Sequence, residues 1–255
     1  MPGRRVARKT GSYNKRREFV FAAFRARFRR PLSPARRVHA GGRPSPRAAR
    51  IPAMSVRPQI RGFRGAEIAP WLDHVARLRI AVFRDWPYLY EGDVGYERDY
   101  LAAYADSPDS VSVLALDGDR VVGASTGLPL ADEADAFSMP LREAGMPVEQ
   151  VFYFGESVLL PEYRGQGIGH AFFDRREAHA RALGRFRWTA FCAVDRDDGD
   201  PRRPAGYRAN DAFWHKRGYM RRPDLTMHLP WNEAGRGETG HALTFWLRDW
   251  QGEGA

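Results

Sequence analysis

A glycine-rich segment that joins an apolar stretch to an amphipathic one is the first feature that could do chemistry. It reads Arg-Gly-Gln-Gly-Ile-Gly-His over residues 164–170. Glycines let the chain adopt positive φ and approach a ligand closely, and a helix N-terminus offers backbone N–H groups to an anion. Arg164 adds a charged donor for phosphate oxygens. The segment therefore predicts a diphosphate-binding loop that opens a helix.

Two other phosphate-binding patterns do not fit this segment. A P-loop requires Lys followed by Ser or Thr after its last glycine, whereas Gly169 is followed by His170. A dinucleotide-binding fingerprint lies after an early strand and has an acidic residue about 20 positions further on, in a second strand. The loop thus belongs to another class of phosphate site.

The loop resembles motif A of the GNAT acetyltransferases, because Arg164, Gly167 and Gly169 match the pattern Gln/Arg-x-x-Gly-x-Gly/Ala. The run Pro-Glu-Tyr-Arg-Gly-Gln-Gly-Ile-Gly over residues 161–169 is also close to the family's usual wording, and the resemblance extends from about residue 58 to 230. It implies an α/β (α+β) GNAT fold, with a central mixed, mostly antiparallel sheet of about six to seven strands flanked by helices. It further implies an acyl-CoA-dependent N-acyltransferase that uses acetyl-CoA as co-substrate and no metal.

The resemblance also implies roles for individual residues. Amides of residues 166–170 would hold the coenzyme diphosphate, residues 158–160 would run beside the pantetheine, and a strand over 186–194 would splay away to open its slot. The coenzyme-binding residues implied in this way are Val158, Leu159, Leu160, Arg164, Gly165, Gln166, Gly167, Ile168, Gly169, His170 and Asn210.

Glu156 is the candidate catalytic base. The acceptor must be a neutral amine, and a lysine-like ammonium titrates near pKa ~10.4, so a base helps the reaction. Glu156 lies between apolar neighbours on a predicted central strand, where desolvation raises a carboxyl pKa unless a cation pairs with it. Members of the family often carry a base on this strand. The alternative interpretation is a structural ion pair with an arginine.

The general acid cannot be assigned from the family pattern. The last helix of the family commonly reads Tyr-x-Lys-x-Gly-Phe, and that Tyr protonates the departing thiolate. Trp214 stands at the Tyr position here, and an indole cannot act as an acid at neutral pH. Tyr207 and Tyr219 are possible substitutes, and the alternative is that the coenzyme A thiol is acidic enough to leave without an acid. A non-catalytic acyl-CoA-binding sensor with the same fold is the alternative function.

The acceptor site is predicted within residues 83–93, which hold Trp86, Tyr88 and Tyr90 beside several carboxylates. Aromatic faces with nearby carboxylates suit a cationic amine, on a small molecule or a peptide. The alternative is that these rings only cover the core. The acidic run over 195–200 lacks the alternation and closing Glu of a calcium loop and is interpreted as a solvated turn.

Periodicity and turn residues predict the elements that carry these groups. Helices are expected over 67–83, 96–105, 132–145, 167–183 and 210–217. Strands are expected over 59–63, 110–116, 120–129, 151–160, 186–194, 225–230 and 241–247. The aromatic run over 243–247 is expected to form an edge strand or to pack against a partner subunit, which would make the protein a homodimer.

Charge divides the chain into two parts. Residues 1–53 hold 16 basic residues and one acid, which leaves 25 basic and 30 acidic residues in the rest. We expect 1–53 to be disordered, or to be an over-extended start before Met54, and 54–255 to be a single GNAT-like domain. Nucleic acid is an expected partner only through 1–53. With no apolar run of 18 residues and one cysteine, the expectation is a cytoplasmic protein without disulfides or a membrane span.

Overall fold

The computed structural model describes residues 57–251, so the predictions for residues 1–53 lie outside the described residues. Its helices are α1 (Leu72–Phe83), α2 (Val94–Asp106), α3 (Asp135–Glu143), α4 (Ile168–Ala182) and α5 (Asp211–Lys216). Its strands are β1 (Gln59–Arg64), β2 (Val111–Asp117), β3 (Arg120–Pro129), β4 (Val151–Tyr153), β5 (Ser157–Leu159), β6 (Trp188–Val194), β7 (Met220–Glu233) and β8 (Gly237–Asp249). Short 3-10 turns cover Gly65–Trp71, Leu130–Asp132, Val148–Gln150 and Pro161–Tyr163.

The strands form one mixed sheet in the order β1-β2-β3-β4-β6-β8-β7, with β5 also paired to β3. Each described pairing is antiparallel except that of β4 with β6, which is parallel. The predicted fold class is therefore confirmed. The sheet has eight strands rather than six or seven, because the strand predicted over 151–160 is divided in two.

The division falls at Phe154-Gly155-Glu156, between β4 and β5. β4 pairs with both β3 and β6, whereas β5 pairs with β3. Gly155 is required at the break, since a Cβ there would overlap the Tyr104 hydroxyl and meet Thr126 Oγ1 at 2.8 Å. A glycine inside an apolar strand pattern is a known signal for such an irregularity. The break opens a gap between β5 and β6.

Both faces of the sheet are buried. Along β2, Leu114 and Leu116 pack in the cluster that includes α1 and α2, while Val113 and Ala115 pack in the cluster that includes α4. This alternation follows from the two-residue period of a strand. Helices on both faces therefore hold the gap between β5 and β6 in place.

Two predicted elements differ from the structure at their ends. The helix expected over 67–83 begins with the 3-10 turn Gly65–Trp71, which contains Pro70, and becomes α-helical at Leu72. The closing strands extend into a long β7–β8 hairpin, and β8 lies between β6 and β7. The expected edge position of residues 243–247 is thus wrong. No helix among the described residues is long and apolar enough to cross a membrane.

Candidate active site

The glycine-rich loop leads directly into α4, as predicted. Gly165 and Gly167 have φ of 75° and 81°, and no atom lies within 4 Å of a Cβ built at either position. Gly167 is the N-cap residue, and no side chain caps the helix there. The first backbone N–H groups of a helix have no partner within the helix. An uncapped 15-residue helix behind two open glycines therefore fits a diphosphate.

The side chains around the loop brace it against its neighbours. Arg164 Nε donates to the Leu159 carbonyl oxygen at 3.3 Å, and Gln166 Nε2 donates to the Glu162 carbonyl oxygen at 3.3 Å. His170 is exposed, and its ring lies 4.9 Å from the ring of Phe213 on α5. This contact brings α5 to the start of α4.

Asn210 is the N-cap residue of α5 and is exposed. Its side chain caps nothing, while its carbonyl oxygen accepts from the Trp214 N–H at 2.9 Å. Because Phe213 of the same helix packs beside His170, Asn210 lies in the region of the loop. The predicted coenzyme contact of Asn210 stays a prediction.

The predicted splay lies between β5 and β6. The β4–β6 ladder runs from Val151–Trp188 to Tyr153–Ala190, after which Phe154 N–H still donates to the Ala190 carbonyl oxygen at 2.7 Å. Beyond that bond, residues 157–159 pair with β3 instead. The backbone of Val158, Leu159 and Leu160 thus borders the gap, and their contact with a pantetheine stays a prediction.

An aromatic cavity of about 130 Å³ adjoins this gap. Half of its lining residues are aromatic, and they come from α1, α2, α3, the segment after α1, and strands β4, β6, β7 and β8. The lining residues are Arg79, Phe83, Tyr88, Tyr90, Tyr96, Glu97, Tyr100, Phe137, Tyr153, Gly155, Cys192, Met227, Leu229, Pro230, Trp231 and Leu243.

The segment over 83–93 contributes to the cavity wall. Phe83, Tyr88 and Tyr90 line the cavity, whereas Trp86 packs edge-on against Tyr207 at 6.1 Å between ring centroids. Arg196 fixes this wall, since its guanidinium donates to the Pro87 carbonyl oxygen at 2.6 Å and to the Tyr88 carbonyl oxygen at 2.9 Å. The wall is therefore held from the loop that follows β6.

Glu156 is buried and forms an ion pair with Arg79, whose guanidinium also binds Glu97. The structural ion pair that was the alternative interpretation is thus present. Burial nevertheless raises the pKa of Glu156, although the charge of Arg79 opposes the rise. The second carboxylate oxygen, Oε1, is buried and makes no hydrogen bond of ordinary geometry among the described residues, but the Thr126 hydroxyl lies close enough to lower the pKa of the carboxyl.

The two tyrosines proposed as substitute acids differ in their surroundings. Tyr219 is buried, and its hydroxyl bonds to Thr189 Oγ1 at 2.9 Å and donates to Glu177 at 3.1 Å. Tyr207 is half-buried and packs edge-on against Trp86, in the segment that follows α1. Trp214 packs 5.0 Å from Phe191 and 5.0 Å from Trp246 between ring centroids, on the α4 face of the sheet.

The acidic run over 195–200 is neutralised by arginines. Asp200 pairs with Arg202 at 2.5 Å, and Asp195 pairs with Arg221 at 2.6 Å. No group of three or more potential metal ligands lies close together among residues 57–251.

Sequence reasoning missed two buried arginines. Arg79 stands four positions after Val75, on the buried face of α1, and Arg176 stands four positions after Phe172, on the buried face of α4. A charged residue in phase with apolar ones signals a buried charge in need of partners. That signal could have identified both.

Solved structures with a similar fold are acetyltransferases by their descriptions. A putative acetyltransferase from Acinetobacter baylyi ADP1 aligns with a TM-score of 0.50 at 12% identity, over 78% of this chain and 96% of its own. An N-acetyltransferase from Staphylococcus aureus Mu50 aligns with a TM-score of 0.50 at 13% identity, over 76% of this chain and 99% of its own. At these identities the likeness concerns the fold, which is that of the GNAT proteins.

The family follows from the sequence match. The model of the acetyltransferase (GNAT) family matches residues 76–201, which include most of α1, the glycine-rich loop and all of α4. Residues 76–201 are therefore a GNAT acetyltransferase domain, and the general class is that of acyl-CoA-dependent acyltransferases. No curated protein sequence matches the chain.

Proposed function

We propose that the chain transfers an acetyl group from acetyl-CoA to a primary amine by direct attack within a ternary complex. The observation that carries this proposal is that the aromatic cavity and the strand before the glycine-rich loop both border the gap between β5 and β6. The aromatic cavity reaches the gap at Gly155 and Cys192, and β5 leads along the chain into the glycine-rich loop and the uncapped start of α4. A diphosphate on the loop would direct a pantetheine arm along the gap, toward an amine in the cavity.

The residues that would hold the coenzyme are those of the loop and of β5. Amides of residues 166–170 bind the diphosphate, with Arg164 and Gly165 beside them, and Val158, Leu159 and Leu160 border the pantetheine. Asn210 contacts the coenzyme from the start of α5. When bound, the coenzyme supplies an activated thioester whose acetyl carbon is open to a nucleophile.

Glu156 would then act as general base, directly or through one water. Burial raises its pKa, which makes it a stronger base than an exposed carboxylate. Arg79 keeps the carboxylate oriented by binding one of its oxygens. Tyr207 would return a proton to the coenzyme sulfur, since it packs against Trp86 of the segment that supplies the cavity wall and burial raises its pKa, which keeps it protonated.

Thiol release from acetyl-CoA over a panel of primary amines tests the proposal. We expect turnover with some amine, with kcat/KM lowered in Glu156→Gln by about 10²–10⁴-fold. Tight acetyl-CoA binding without turnover of any amine would contradict the proposal.

The second candidate function is a non-catalytic acyl-CoA sensor. Its support is Trp214, which replaces the expected acid and packs against Phe191 and Trp246 instead of facing the gap. Tyr207→Phe separates the two functions. A catalyst loses kcat on this change, whereas a sensor has no turnover to lose and keeps its acetyl-CoA affinity.

A further inference from the structure

We propose that the aromatic cavity takes one acceptor class, a primary amine carried on a short arm by a single aromatic ring. This inference rests on the proposed function, because it names the substrate of the same site. It is carried by the size of the cavity, by its fixed walls and by the charge at its end.

The cavity has room for one ring. Its volume is about 130 Å³. A protein cavity of about 150 Å³ lined by apolar side chains binds benzene. Aromatic side chains also form edge-to-face and offset contacts with a bound ring, which adds to the gain from burying its surface. A compact aryl group therefore fits this volume.

The walls are built before any ligand arrives. The ring of Tyr88 lies 4.5 Å from that of Phe83 and 5.8 Å from that of Trp231 between centroids. Trp231 Nε1 donates to the Tyr88 carbonyl oxygen at 3.1 Å, and Arg196 donates to the same oxygen at 2.9 Å. Arg196 is held in turn by Glu233 at 2.7 Å. A rigid wall selects ligands by size, because it does not move aside.

Glu97 is the group that would recognise the amine. In the cavity wall it forms an ion pair with Arg79, which is shared with Glu156. Arg176 lies beside Glu156 as well, so Glu97 is the carboxylate that an incoming ammonium would meet. Glu97 is the one carboxylate among the described lining residues, so the second ammonium group of a polyamine would find no carboxylate there.

The amine end must lie at the gap. Gly155 and Cys192 both line the cavity, and Gly155 follows β4 while Cys192 lies on β6, beyond the Tyr153–Ala190 pair where the two strands separate. With the ring among the aromatic side chains, a short arm brings the nitrogen to this point. The nitrogen then forms a bond to the acetyl carbon as the carbon–sulfur bond breaks. Before this attack the ammonium releases one proton to solvent. The nitrogen then loses a second proton to Glu156, and the sulfur gains one from Tyr207, which Glu156 reprotonates through solvent. The products are an N-acetyl amine, free coenzyme A and one proton.

The test compares phenethylamine and spermidine as acceptors for the full chain with acetyl-CoA. We expect kcat/KM for phenethylamine to exceed that for spermidine by about 100-fold, as a cost of about 3 kcal/mol for an uncompensated charge would give. Equal or faster turnover of spermidine would overturn the proposal.

Two tryptophan variants test whether the cavity is the acceptor site, because one fills the cavity and the other lies outside it. Leu229 lines the cavity, is half-buried and lies on β7, so Leu229→Trp should lower kcat/KM for phenethylamine about tenfold or more without changing acetyl-CoA affinity. Met220 lies on the same strand, outside the cavity and 61% exposed, so Met220→Trp is the control and should change neither. Equal losses in the two variants would contradict the assignment of the cavity.

Cys192 offers a readout that needs no turnover, because it is the only cysteine of the chain and lines the cavity. Saturating phenethylamine should slow its alkylation by N-ethylmaleimide at least several-fold, and less so in Leu229→Trp. If another amine reacts while phenethylamine neither reacts nor protects Cys192, the acceptor class is wrong and the proposed function stands. If no amine reacts, the proposed function fails, and protection of Cys192 then decides whether the ligand class is right.

Discussion

Replacing Gly167 by alanine tests whether the coenzyme is seated on the start of α4. Gly167 has φ of 81° and Gly184, just beyond the other end of the helix, has φ of 70°. No atom lies within 4 Å of a Cβ at either position, so alanine causes no clash. What remains is the left-handed backbone, which costs an L-residue about 1–2 kcal/mol. Gly167→Ala and Gly184→Ala should therefore lose similar stability, and only Gly167→Ala should disturb the amides that face a diphosphate.

Urea unfolding with and without acetyl-CoA separates the two effects. At a concentration about 100 times the Kd, a ligand that binds only the folded state adds about 2.7 kcal/mol to the free energy of unfolding. We expect that full increment in the wild type and in Gly184→Ala. A tenfold loss of affinity in Gly167→Ala would reduce the increment to about 1.4 kcal/mol at the same concentration.

Two outcomes would refute this reasoning. A full increment in Gly167→Ala would show that the coenzyme does not depend on the backbone at the start of α4. An equal reduction in Gly184→Ala would show that affinity follows the stability of the helix rather than the geometry of the loop. Because folded proteins are stable by about 5–15 kcal/mol, both variants should remain folded for the comparison.

Three further predictions concern the buried and half-buried polar groups. The pKa of Glu156 in the folded state is raised above its ordinary 4.5, because burial disfavours the charged form. The contribution of Glu156 to the free energy of unfolding is therefore most favourable below pH 4.5, where the carboxyl is protonated in both states. Stability relative to Glu156→Gln, followed by urea unfolding, should fall as pH rises through the folded pKa, and a flat difference would contradict this. Tyr207→Phe should lower kcat with little change in KM, whereas the control Tyr219→Phe should cost about 1–3 kcal/mol of stability and leave kcat unchanged. Burial lowers the pKa of Arg176 from 12.5 to about 10, a penalty on its charge of about 3 kcal/mol, so Arg176→Met should keep or increase the unfolding free energy yet lower kcat. Loss of stability in Arg176→Met with unchanged kcat would count against a positioning role.

The elements could be predicted because local signals specify them. The helix over 167–183 begins at glycines and ends at Gly184, and α4 occupies Ile168–Ala182. The hairpin predicted around residues 117–119 joins β2 to β3. Both signals lie within a few residues of the structure they specify, and neither requires knowledge of the tertiary fold.

The cavity could not be predicted, because no local pattern encodes it. Its lining residues run from Arg79 to Leu243 and come together only when the sheet is complete. The break at Gly155 was missed for a related reason. Residues 151–160 are apolar on both faces and match a continuous central strand, and the overlap with Tyr104 that demands glycine arises from a distant helix.

Two arginines hold Glu156, one at its carboxylate and the other at its backbone carbonyl oxygen. Arg79, from α1, binds its carboxylate. Arg176, from α4, donates through Nη1 to its carbonyl oxygen at 3.1 Å and to the Thr126 carbonyl oxygen at 3.2 Å, and through Nη2 to Ser157 Oγ at 2.8 Å. A buried guanidinium without a carboxylate partner is costly for stability, so its position beside the break is explained best by orientation of the site. The two arginines fix the point where the sheet opens, which is where the acetyl carbon and the amine must meet.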